Sequence, residues 1–129
     1  MLSQRSTLLA GAFLGGLGVA LGAFGAHALK PILLATNHLD TYELAVRYQF
    51  YHAFALLFIG MLMGDNRPNP KLISAALFMI LGTAFFCGSL YAIAFDSVKS
   101  VAFLTPIGGV FFILGWIWLG LGVWRKSAP

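Results

Sequence analysis

The side chains able to do chemistry in this 129-residue chain fall in three short stretches. His27 closes the first apolar run, Glu43, Arg47, Tyr48, Gln49, Tyr51 and His52 open the second, and Tyr91 sits in the third. Two histidines on different helices could ligate a haem iron. Arg47, Tyr51 and a histidine could hold a quinone or a lipid head group, and Arg47, His52 and Glu43 could line a path for a proton, an ion or a small solute. Against a metal centre, two isolated histidines carry no ligand spacing, and such centres normally show a fuller set. No cofactor and no metal ion are therefore expected. Catalysis is the weakest case. There is no Ser/His/Asp set, no H-E-x-x-H, no glycine-rich phosphate loop and no carboxylate pair inside an apolar run, so the chain is not expected to be an enzyme. The simplest use of these residues is an internal hydrogen-bond network that fixes helix register, the usual fate of polar groups in apolar bundles. That makes the protein a structural or accessory component; the alternatives are a small-molecule-binding protein and a small oligomeric transporter.

The elements that must position these residues follow from composition. Hydrophobic residues make up 60% of the chain and charged residues 9%, against about 25% charged in soluble domains. The charges are bunched between long uncharged stretches. A membrane-crossing helix needs roughly 20 apolar residues, and four stretches qualify: 7–29, 41–64, 72–95 and 101–124. The connections between the second and third and between the third and fourth are short, and Asn66, Pro68, Asn69 and Pro70 break any helix in the first of them. The expected fold is all-α: one transmembrane domain, an up-down antiparallel four-helix bundle in the lipid bilayer. The eight Lys and Arg residues form no basic stripe, which excludes nucleic acid. They favour one side of the bilayer, five (Arg5, Arg67, Lys71, Arg125, Lys126) against three (Lys30, Arg47, Lys99), so both termini are expected in the cytoplasm. Arg5, an apolar stretch and Ala26-His27-Ala28 imitate a cleavable signal, but the stretch exceeds the roughly 7–15 residues of a signal core and is expected to be retained. Cys87, the single cysteine, reads as a small packing residue.

Packing in lipid comes from small residues rather than from hydrophobicity. Gly11, Gly15, Gly18, Gly22 and Gly25 alternate spacings of four and three, and Gly108, Gly115 and Gly122 repeat at sevens. Two such seams predict that the first and fourth spans pack on each other, within one chain or between copies. Asp40 and Glu43 predict a capping-box-like start for the second span, Glu43 and Arg47 an i, i+4 ion pair. The segment Pro31–Leu39 is too short to span and is expected along the outer interface. With antiparallel helices, His27, Arg47, Tyr48, Gln49, Tyr51, His52, Ser89, Tyr91, Thr105 and Pro106 are expected together in the outer third of the bundle. The inner half, with Met61, Met63, Phe78, Ile80, Ile113 and Leu114, offers no partner to a charged solute.

Four stretches carry a family likeness: Gly22-Ala23-Phe24-Gly25-Ala26-His27, Ala45-Val46-Arg47-Tyr48-Gln49-Phe50-Tyr51-His52-Ala53, Gly88-Ser89-Leu90-Tyr91 and Thr105-Pro106-Ile107-Gly108-Gly109. In that order they resemble the motifs of the YgdD-like group of small bacterial membrane proteins, a domain-of-unknown-function family, with Ala28 standing where relatives often have glycine. The resemblance covers nearly the whole chain. It implies a multi-pass protein of the bacterial inner membrane with no established activity, and leaves open whether it works as a homo-oligomer or inside a larger membrane complex.

Overall fold

A computed structural model describes residues 2–64, 69–96 and 99–126. In hydrocarbon a chain must satisfy its own backbone polar groups, which leaves the helix as the form for an isolated apolar run. The described residues obey this. Helix α1 (Gln4–Ala26), a short α2 (Lys30–Ala35) and α3 (Leu39–Met63) are followed by α4 (Pro70–Gly82), a π-helical turn (Thr83–Cys87) and α5 (Gly88–Asp96). A 3₁₀ turn (Lys99–Val101) then leads into α6 (Leu104–Lys126). Among the described residues, four helices are long and apolar enough to cross a membrane: α1, α3, the continuous Pro70–Phe95 rod, and the Lys99–Trp124 stretch containing α6.

Local chemistry sets the ends. The Ser3 hydroxyl accepts from the Ser6 N–H at 3.1 Å while the Ser6 hydroxyl accepts from the Ser3 N–H at 2.8 Å, a reciprocal cap on α1. Asn69 caps α4 through the Lys71 N–H at 3.0 Å, and its amide nitrogen donates to the Gly122 carbonyl at 3.2 Å, tying the start of the third span to α6. The segment between the first two spans is helical: Pro31 sits in the first turn of α2, and Leu33 is buried. Asn37 then takes φ 57°, the left-handed conformation that asparagine tolerates, and the chain turns into α3. That helix starts at Leu39 with His38 at the cap position and no side-chain cap bond. Asp40 therefore lies inside the first turn, where its charge still favours the helix dipole, and the expected capping box is not formed.

The spans run up and down. Along α1 and α3 the contacts step in opposite directions, Gly11 meeting Ala53 and Leu57, Gly18 meeting Phe50, and Gly25 meeting Tyr42. Along α4 and α6, Leu72 meets Gly122, Met79 meets Gly115 and Phe86 meets Gly108 in the same antiparallel sense. The two glycine seams are thus not a pair. The first span seats on the second and the fourth on the third, while the first and fourth do not pack on each other within the chain. Glycine on one side is matched by a larger side chain on the other, which fills the space that two facing seams would leave empty. Gly15 lies off the contact line with nothing near it. The core lies between the second and third spans, where Leu56, Ile59, Leu72 and Met79 are fully buried.

Candidate functional site

The expected polar cluster separates into three places. His27 ends α1, and Glu43 and Arg47 lie on α3; all three are exposed on the outside of the bundle. No ion pair joins Glu43 to Arg47, although they stand one turn apart. His52, in contrast, is near the midpoint of the 25-residue α3. Because Gly18 faces Phe50 and Gly11 faces Ala53, His52 is level with α1 some ten residues short of His27, roughly 15 Å along the axis at 1.5 Å per residue. The two histidines are not at one depth, and the group is not confined to the outer third. A single flat ring cannot bridge them.

The second place is a clamp around Gln49, which is 2% exposed. Its amide nitrogen donates to the Leu14 carbonyl at 2.8 Å, and its oxygen accepts from the Tyr91 hydroxyl at 2.8 Å. One side chain on α3 thereby joins α1 and α5. About two turns away, the Tyr42 hydroxyl donates to the Leu21 carbonyl at 2.5 Å, and its ring meets Tyr91 edge-on at 5.4 Å. Tyr42 passed unnoticed in the sequence, although it stands seven residues before Gln49 on the same heptad line.

The third place is an aromatic cleft of 430 Å³ between the second and fourth spans. Tyr48, Tyr51 and His52 form one wall, Phe86 of the π turn the floor, and Gly109, Phe112, Ile113 and Trp116 the other wall. His52 lies flat on Phe112, with ring centroids 3.4 Å apart. Its Nδ1 is 2.7 Å from the Tyr48 carbonyl, and the Trp116 indole nitrogen donates to its Nε2 at 3.3 Å. A carbonyl can only accept and an indole N–H can only donate. The ring is therefore the neutral tautomer with its proton on Nδ1, and both nitrogens are engaged. Trp116 lies one position beyond the Gly115 seam residue, a placement that sequence periodicity alone does not link to His52.

The π turn positions this floor. Hydroxyls bracket it at both ends: Thr83 donates to the Met79 carbonyl at 2.9 Å, beside its own backbone N–H, and Ser89 donates to the Phe86 carbonyl at 3.0 Å. The Ser89 and Thr105 hydroxyls are 2.6 Å apart. Since the Ser89 proton is committed to Phe86, Thr105 donates in that pair and links α5 to α6. Every buried side-chain polar atom among the described residues has a partner, and they contain no group of three or more His, Cys, Asp or Glu side chains that could hold a metal ion.

Comparison with known proteins assigns the family. The family described as Protein of unknown function (DUF423) matches residues 21–109. The UPF0382 membrane protein SSP2132 of Staphylococcus saprophyticus is 40% identical over 118 residues, covering 92% of this chain and 96% of its own. The UPF0382 inner membrane protein YgdD of Escherichia coli K12 is 36% identical over 124 residues, covering 96% and 93% respectively. No solved structure matches the chain. With four bilayer-length apolar helices and relatives of nearly equal length, this multi-pass membrane protein belongs to the DUF423 family, whose function is unknown.

Proposed function

We propose that the chain is a non-catalytic structural or accessory module of the membrane, whose mid-bilayer polar groups act as interhelical clamps. The observation that carries this reading is Gln49, which spends both ends of its amide on two other spans. His52 supports it, since both ring nitrogens are occupied and none is left for a proton relay or a ligand. A reactive site would instead keep a polar group open toward its substrate. In this reading both termini face the cytoplasm, in keeping with the excess of Lys and Arg at that end, and the module works with a second copy or within a larger membrane complex.

The test is thermal melting in mild detergent. Gln49→Leu removes two interspan hydrogen bonds, each about 0.6 kcal/mol on average in membrane bundles, and strands the Tyr91 hydroxyl. A loss of about 1–2 kcal/mol is expected. Unchanged melting of both Gln49→Leu and His52→Phe would overturn the clamp reading.

A further inference from the structure

The cleft and Arg47 together point to a bound lipid. Arg47 stands four residues before Tyr51 on one helix line, so it lies one turn above the mouth of the cleft that Tyr51 lines. It is exposed, and among the described residues it has neither an ion-pair nor a hydrogen-bond partner. Centring the membrane-length helix α3 in the bilayer puts the Arg47 Cα, four residues from the helix midpoint, about 6 Å from the bilayer centre, inside a hydrocarbon layer whose half-thickness is about 15 Å. An unpaired cation at that depth is costly and snorkels toward the ester and phosphate groups. Below it, the cleft offers no charge at all. Its walls are apolar rings broken by Tyr48 and Tyr51, whose hydroxyls have no hydrogen-bond partner among the described residues.

We infer that the cleft holds one phospholipid, its phosphate on Arg47 and one acyl chain lying along Tyr51, Phe112, Ile113 and Trp116. Charge complementarity selects the head group: Arg47 presents a planar fork of donors suited to phosphate. The neutral aromatic walls select the chain. The site makes no use of the Gln49 clamp, although His52 and Trp116, which support the structural role proposed above, also line it.

Native mass spectrometry of the full chain tests this, with phosphatidylglycerol as the probe and diacylglycerol of the same chains as the head-group-free control. Wild type is expected to retain one phosphatidylglycerol and no diacylglycerol at detergent levels that strip loosely held lipid. Arg47→Gln, at an exposed position that no clamp uses, is expected to lower retention by about tenfold, a 1.4 kcal/mol effect. Arg47→Lys should keep most of it, and Ile113→Trp, which fills the cleft, should abolish it with Arg47 intact. Equal retention by wild type and Arg47→Gln would overturn the proposal, as would diacylglycerol held as well as phosphatidylglycerol. An open-ended series of adducts insensitive to both substitutions, the signature of annular lipid only, would overturn it too.

Discussion

At the scale of single residues, the chemistry of each side chain is set by what reaches it. His52 has the composition of a ligand and the environment of a packing residue. It is flat against Phe112 and held at both nitrogens. Trp116→Phe keeps the aromatic volume and removes only the indole N–H. The expected cost is about 0.5–1 kcal/mol in detergent melting. In a double-mutant cycle with His52→Phe, the two costs should fall short of additivity by most of that amount; strict additivity would mean that the bond carries no energy. Arg47 is the opposite case, an exposed cation on a membrane-length helix with no partner among the described residues.

Among the elements, the third span shows most clearly how a local irregularity is held. Its π turn brings the Phe86 backbone against Gly108, so closely that any Cβ at position 108 would overlap it. Backbone cannot swing aside as a side chain can. Gly108→Ala is therefore expected to destabilise by about 2–3 kcal/mol, at the upper end for overpacking, whereas Gly15→Ala, facing open space, should be neutral or slightly stabilising through helix propensity. Comparable melting of the two variants would contradict this close approach. Ser89 and Thr105 close the same irregularity from α5 and α6. Ser89→Ala and Thr105→Val are each expected to cost about 1 kcal/mol, and the double variant little more than either, because both remove one shared bond.

For the whole molecule, an even number of antiparallel spans returns both termini to one face. Under the proposed orientation, a fluorescent reporter fused at either end should fluoresce in the cytoplasm, and a reporter that needs export should stay silent at both. Opposite signals at the two ends would break the up-down topology itself. Signals that agree but are inverted would retain the fold and reverse only the orientation argued from Arg5, Arg67, Lys71, Arg125 and Lys126. Of these, Arg67 lies outside the described residues.

Much of this architecture was legible in the amino-acid order alone. Four apolar runs of bilayer length, the second carrying Glu43 and Arg47 near its start, are separated by Pro, Asn and charge and admit only helices, because lipid offers the backbone no other partner. Short connections then make neighbours antiparallel. The small-residue spacing marked which faces of α1 and α6 would pack closely, and the cost of polar groups in hydrocarbon marked Gln49, His52 and Tyr91 as interior. Which face meets which partner was decided only by the tertiary structure. Glycine seams state that something comes close without naming it; α1 settled on Phe50 and Tyr42, and α6 on Phe86 and Met79, because a groove is filled by a ridge and not by a second groove. Depth was lost for the same reason. The sequence lists His27 and His52 as equals, while the register set by those seams puts about ten residues of helix between them. The π turn, and with it the floor of the cleft, is seated against α6 through the Ser89–Thr105 pair and the Phe86–Gly108 approach, contacts between residues sixteen or more positions apart that no local pattern records.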